Sequence, residues 1–152
     1  MFTSIAIIGR PNVGKSTLFN KLTKTREAIV SDFPGLTKDR NYGYIKLGSI
    51  KSFIIDTGGI GKDESNLSQN ISEQAWMAAN ECNLILFLVD GSENLTSEDF
   101  DILSSLRKLN KPFITLLNKS DKSSKSEALN DISSKGIKDC LLYTSDAADD
   151  GL

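Results

Sequence analysis

Gly9-Arg10-Pro11-Asn12-Val13-Gly14-Lys15-Ser16-Thr17 is the stretch whose reading decides the fold of this chain. It fits G-x-x-x-x-G-K-S, and it stands where that pattern has a physical meaning. Before it runs the apolar segment Ser4 to Ile8, which reads as a strand, and after it the apolar residues take helical spacing. Glycines at such a junction let backbone N–H groups wrap a phosphate at a helix N-terminus. Lys15 would bring positive charge to β and γ phosphates, and Ser16 would offer a hydroxyl to Mg²⁺. A chance glycine turn is the bland alternative, and the strand-loop-helix context argues against it.

Outward from the loop, short apolar runs alternate with segments of helical spacing, the pattern of a mainly parallel sheet covered by helices. Strands are predicted at Ser4 to Ile8, Asn41 to Leu47, Ser52 to Asp56, Leu84 to Asp90 and Phe113 to Asn118. The second and third lie so close around Gly48 that they should form an antiparallel hairpin at one edge. A first helix should begin at Gly14 or Lys15 and bury Leu18, Phe19 and Leu22; a second places Ile71, Ala75, Ala78, Ala79 and Cys82 on one side. A third runs from about Ser97 to Asn110 with Phe100, Leu103, Leu106 and Leu109 as its stripe, and Glu98 and Asp99 in the first turn suit the helix dipole. A fourth opens with the capping-box spacing Ser124 to Glu127 and buries Ala128, Leu129 and Ile132.

Composition narrows the chemistry. The chain has 152 residues, 39% hydrophobic and 25% charged, which suits one folded domain rather than several or a disordered chain. Its formal net charge of −2 provides no general field for nucleic acid or an anionic membrane, so no direct nucleic-acid binding is expected from this domain. The apolar run Leu84 to Val89 is far short of the roughly 20 residues needed to span a bilayer. The N-terminal segment has no basic leader, and a cytoplasmic location is expected. The 2 cysteines, Cys82 and Cys140, form no C-x-x-C pair and read as buried thiols rather than as a zinc site or a disulfide. With no histidine present, a Ser-His-Asp triad and His-ligated metals are excluded.

The base is chosen elsewhere. Asn118-Lys119-Ser120-Asp121 ends a predicted strand, the end of an open α/β sheet at which ligands bind. An ionised Asp121 only accepts hydrogen bonds, so it suits the N1–H and N2–H₂ donors of guanine and would repel the N1 acceptor of adenine. Asn118 can satisfy the purine edge and fix the loop, and the Lys119 stem can lie over the ring. Alone, such a quartet is often just a polar loop; paired with the glycine loop it carries weight. Asp56-Thr57-Gly58-Gly59 is the third element: Asp56 can hold Mg²⁺ through water, and the Gly59 N–H can reach a γ-phosphate. Asp90, closing LILFLVD, competes as the acidic strand end that an ATPase would use; the glycines after Asp56 favour Asp56. Between the glycine loop and the hairpin lies the segment Asp32 to Arg40. Its threonine could bring a hydroxyl to Mg²⁺ and an N–H to the γ-phosphate, although an ordinary polar loop explains it equally well.

From about Ile5 to Lys138 the chain resembles the Der (EngA) family of bacterial GTPases, specifically its N-terminal GTP-binding domain. The particular features are GRPNVGKSTLFNKL, the segment TREAIVSDFPGLTKDR, and DTGG where the related Era and MnmE families usually show DTPG and DTAG. The resemblance implies a Ras-like P-loop GTPase fold, α/β with a mainly parallel sheet, one antiparallel edge hairpin and helices on both faces. It implies GTP and GDP as ligands, slow hydrolysis with Mg²⁺, and a role in assembly of the large ribosomal subunit. It gives Val13, Gly14, Lys15, Ser16 and Thr17 to phosphates and Mg²⁺, Thr37 to the first switch, Asp56 and Gly59 to the second, and Asn118, Lys119 and Asp121 to guanine. Ile60 stands where Ras-like enzymes have the water-positioning glutamine, and the family has a hydrophobic replacement there too. Asn12 resembles the loop asparagine that coordinates K⁺ in related GTPases, an ion able to replace an arginine finger; shaping the loop is its alternative role.

Residues 1–139 are therefore expected to form the GTP-binding domain without its last helix, and residues 140–152 an atypical tail. At most a strand, Cys140 to Thr144, is expected there. Ser145-Asp146-Ala147 interrupts the serine-alanine pair of the guanine-supporting loop, and LLYTSDAADDGL looks like translated sequencing-adapter read-through. Two other readings compete: a guanine-nucleotide-binding regulatory module with negligible turnover, and an ATPase built on Asp90.

Overall fold

Successive residues of the first strand, β1 (Phe2–Ile8), serve opposite faces of one sheet: Ala6 and Ile8 join one core cluster and Ile7 the other. In β4 (Leu84–Asp90) the same alternation gives Ile85, Phe87 and Val89 to the first cluster and Leu88 to the second. Strands apolar on both faces must be covered on both, and they are. The helix α1 (Lys15–Leu22) lays Leu18 and Phe19 on Ile7, Ile54 and Leu88. On the opposite face, α2 (Glu73–Glu81) contributes Ala78 and Ala79, and α3 (Ser97–Leu109) contributes Ile102, Leu103 and Leu106. These positions come from a computed structural model, which describes residues 2–23, 41–47, 49–59, 73–92, 94–118 and 140–142.

With β2 (Asn41–Leu47), β3 (Ile50–Asp56), β5 (Phe113–Asn118) and β6 (Cys140–Leu142), the 6-stranded sheet has the order β2-β3-β1-β4-β5-β6. Only β2 runs antiparallel, pairing with β3 from Asn41↔Asp56 to Leu47↔Ile50; every other pairing is parallel. The edge hairpin and the mixed sheet thus agree with expectation. Along the hairpin, Phe53 meets the rings of Tyr42 and Tyr44 at centroid distances of 6.4 and 6.0 Å.

Several boundaries differ from those predicted. β1 begins at Phe2 and β3 at Ile50, each starting two positions earlier than the apolar pattern suggests. Polar side chains extend the pairing there, since the Thr3 and Ser52 hydroxyls lie 2.6 Å apart. In α3 the buried stripe is Asp99, Ile102, Leu103 and Leu106, with Phe100 and Leu109 only partly buried against it. Cys82 is buried just beyond the end of α2. Among the described residues, no helix is long and apolar enough to cross a membrane. The predicted fourth helix, the Asp32 to Arg40 segment and everything past Leu142 lie outside the described residues.

Chain order reverses at β1, whose neighbours are β3 on one side and β4 on the other. The crevice outside the carboxyl ends of the strands at such a switch point is where open α/β sheets bind ligands. The loop that starts at Gly9 leaves β1 at that place.

Candidate functional site

A cleft of about 430 Å³ opens over the glycine loop, lined by Pro11, Asn12, Gly14, Lys15, Ser16, Thr17 and Gly58. Its floor is the start of α1. Gly14 caps that helix in the left-handed region (φ 105°), no side chain caps it, and no acidic residue stands in its first turn. Nothing negative on the helix therefore competes for its first N–H groups, so the partial positive charge at the terminus faces the cleft.

Lys15, 9% exposed, turns back across the loop, and its Nζ donates to the carbonyls of Gly9 at 2.6 Å and Arg10 at 2.9 Å. These two bonds hold the ammonium at the mouth of the loop. Val13 is fully buried in the core beneath α1, which anchors the middle of the loop to the sheet. Asn12 is exposed at the cleft with φ 69°, a left-handed conformation that asparagine adopts more readily than most residues.

The second side of the site comes from β3. Ser16 Oγ donates to Asp56 Oδ2 at 3.1 Å, while Asp56 Oδ1 accepts the Gly58 N–H at 3.0 Å. Thr57 Oγ1 donates to the carbonyl of Ile7 at 2.5 Å, tying the turn after β3 to the end of β1. That turn is a 3₁₀ segment, Thr57–Gly59, which contains Gly59. The hydroxyl and the carboxylate expected around a divalent cation are therefore in contact. Both are oxygen donors, the set that a hard cation such as Mg²⁺ takes. Among the described residues there is no cluster of three or more His, Cys, Asp or Glu. A site with one carboxylate fits a cation that completes its shell with water and phosphate.

Asp90 faces a different task. Its Oδ1 accepts from the Ser92 N–H at 2.9 Å and the Ser92 hydroxyl at 2.6 Å, closing the turn after β4, while Ser16 bonds Asp56.

The third side comes from β5. Asn118, 2% exposed, donates from Nδ2 to the carbonyl of Val13 at 2.8 Å. The end of β5 is thereby pinned to the glycine loop. The geometry also shows why Gly14 is glycine: a Cβ there would lie 2.3 Å from Asn118 Nδ2, in addition to the strain of its positive φ.

Of the predicted site residues, the structure brings together Asn12, Val13, Gly14, Lys15, Ser16, Thr17, Asp56 and Asn118 around one crevice, with Gly59 in the turn beside it. Thr37, Ile60, Lys119 and Asp121 lie outside the described residues. Two contributors escaped the sequence reading. Gly58 borders the cleft, where a Cβ would sit 3.2 Å from both Asp56 Oδ1 and Lys15 Cε; its place within DTGG was the available signal. Asp99 at the head of α3 is 1% exposed and meets Arg10 of the glycine loop, a contact across the fold that no local pattern announces.

Comparison with known proteins agrees with the fold. A family model described as 50S ribosome-binding GTPase matches residues 4–119. GTPase Der of Legionella pneumophila (strain Corby) is 50% identical over 139 residues, covering 91% of this chain and 30% of the relative. GTPase Der of Vibrio cholerae serotype O1 is 50% identical over 121 residues, 80% of this chain and 24% of the relative. The chain thus spans less than a third of the length of these curated relatives. Among solved structures, Era in complex with MgGDPNP and a segment of 16S ribosomal RNA superposes with a TM-score of 0.72 at 30% identity, covering 95% of this chain and 51% of that one. The G domain of the T. maritima FeoB iron transporter, with a TM-score of 0.69 at 22% identity over 97% of this chain and 90% of its own, shares the fold.

Proposed function

The chain belongs to the 50S ribosome-binding GTPase family, and from that premise we propose that residues 1–139 form a GTP-binding and GTP-hydrolysing switch domain. In this reading the domain is one module of a longer cytoplasmic factor acting in assembly of the large ribosomal subunit. The observation that carries the nucleotide assignment is the Asn118 to Val13 bond, which holds the first residue of the Asn118-Lys119-Ser120-Asp121 stretch against the phosphate loop. Support for the wider role comes from the likeness to GTPase Der.

The proposed reaction is in-line attack of water on the γ-phosphate of GTP. The N–H groups of Val13 to Thr17 would cradle the phosphates, and Lys15, already oriented by two carbonyls, would stabilise charge on the transferring group. Ser16 and Asp56 would hold Mg²⁺, which when bound neutralises phosphate charge. Thr37 and the Gly59 N–H would sense the γ-phosphate, making the two switch segments depend on it. Asp121 and Asn118 would read guanine, with Lys119 against the ring. Since Ile60 offers no hydrogen bond to the attacking water, turnover is expected to be slow. Asn12, exposed at the cleft, is proposed as a K⁺ ligand.

Phosphate release from GTP under single-turnover conditions tests this. Release above the buffer blank, lowered at least about a hundredfold by Lys15→Ala, is expected. Faster release in K⁺ than in Na⁺ is expected for Asn12, and equal rates would remove its proposed role. Tight GTP binding with release at the blank rate would instead leave a regulatory module without turnover.

A further inference from the structure

Arg10 occupies one of the variable positions of the glycine loop, yet it is bound at both ends. Its carbonyl accepts from Lys15 Nζ at 2.9 Å. Its Nε stands 3.3 Å from each carboxylate oxygen of Asp99, at the head of α3 on the other face of the sheet from α1. Asp99 is itself held: Oδ2 accepts the Thr96 N–H at 2.9 Å and the Thr96 hydroxyl at 3.1 Å, and Thr96 Oγ1 accepts the Asp99 N–H, a complete capping box. A capping box serves a helix without any arginine, and an aspartate at this position does not have to be buried. Here the carboxylate is 1% exposed and the Arg10 side chain 16%. A buried carboxylate requires a compensating partner, and Arg10 is a cationic one. The loop backbone at Arg10 is consequently tied to a rigid helix terminus rather than left to its own torsions.

We propose that Arg10 and Asp99 are positioning residues for the nucleotide site: their ion pair fixes the Arg10 carbonyl, and that carbonyl orients the Lys15 ammonium toward the phosphates. Neither residue lines the cleft, so both act through Lys15. The inference rests on the proposed phosphate-binding role of the loop. It assigns to α3 a share in setting nucleotide lifetime, because the head of that helix is joined to the phosphate loop by this ion pair.

The test is the dissociation rate of fluorescent GDP from the 152-residue chain, measured beside thermal stability. Arg10→Ala and Asp99→Asn should each accelerate dissociation about tenfold, the effect of losing one charge-assisted contact. The double variant should be no faster than the faster single one, because both remove the same contact. Arg10→Lys, which keeps the charge and loses the guanidinium geometry, should fall between wild type and Arg10→Ala. Leu109→Ala supplies the control: it loosens α3 far from Arg10, so it should lower the melting temperature with dissociation within about twofold of wild type. Dissociation that follows melting temperature across all these variants, or stays at the wild-type rate in Arg10→Ala and Asp99→Asn, would overturn the positioning role. Absence of GDP binding by the unaltered chain would instead overturn the phosphate-loop reading, and the positioning role with it.

Discussion

Asn118 and Val13, far apart in sequence, are joined by a buried hydrogen bond of 2.8 Å from the asparagine amide to the valine carbonyl. The bond connects the end of β5 to the loop after β1 across the intervening β4, so two loops at separate strand ends keep one geometry. Asn118→Ala would leave the Val13 carbonyl buried without this donor. A stability loss of about 1–3 kcal/mol in urea unfolding is predicted, together with weaker GDP binding. An unchanged unfolding midpoint would show that the bond does not contribute.

Gly14 and Gly58 both border the cleft, but substitution should separate them. At Gly14 a methyl group meets Asn118 Nδ2 at 2.3 Å, and φ 105° is costly for alanine, so Gly14→Ala should abolish GDP binding. At Gly58 the nearest atoms are 3.2 Å away, one a carboxylate oxygen and one in a flexible lysine stem that can shift. Gly58→Ala should retain the fold and bind GDP within about tenfold of wild type. Isothermal titration of the two variants distinguishes them, and equal affinities would contradict the geometry.

Burial raises the Cys82 thiol above its ordinary value of 9.0, more than the neighbouring backbone donors and Lys111 lower it. The unfolded chain can release this proton where the folded chain retains it. The thiol's contribution to stability is therefore complete below pH 9.0 and is lost as pH rises above it. In a Cys140→Ser background, the stability difference between Cys82 and Cys82→Ala should shrink above that pH. Alkylation of Cys82 at pH 8 should be at least about a hundredfold slower in the folded than in the unfolded chain. Rapid labelling of the folded chain would show that the thiol is accessible.

Much of this arrangement was legible in the residues because it is local. The periodicity of LILFLVD and FITLLN marks strands apolar on both faces, and the glycine loop announces the strand before it and the helix after it. The start of β3 was not legible, since Ile50 and Lys51 are exposed and pair through backbone rather than through an apolar face. By its position in the chain alone, Asp99 is a charge suited to a helix dipole. Its larger part, burial against Arg10, depends on where α3 meets the loop after β1, a distance that no spacing in the chain encodes. Likewise Thr57 reads as an ordinary residue between Asp56 and Gly58 until β1 lies beside it and offers the Ile7 carbonyl.

The most direct measurement is a titration of the purified chain with fluorescent GDP and Mg²⁺, followed by competition with unlabelled GTP and ATP. Binding at about micromolar concentration or tighter is predicted, with displacement by GTP and none by ATP at equal concentration. Displacement by ATP as effective as that by GTP would contradict a guanine-reading site built on Asn118 and Asp121.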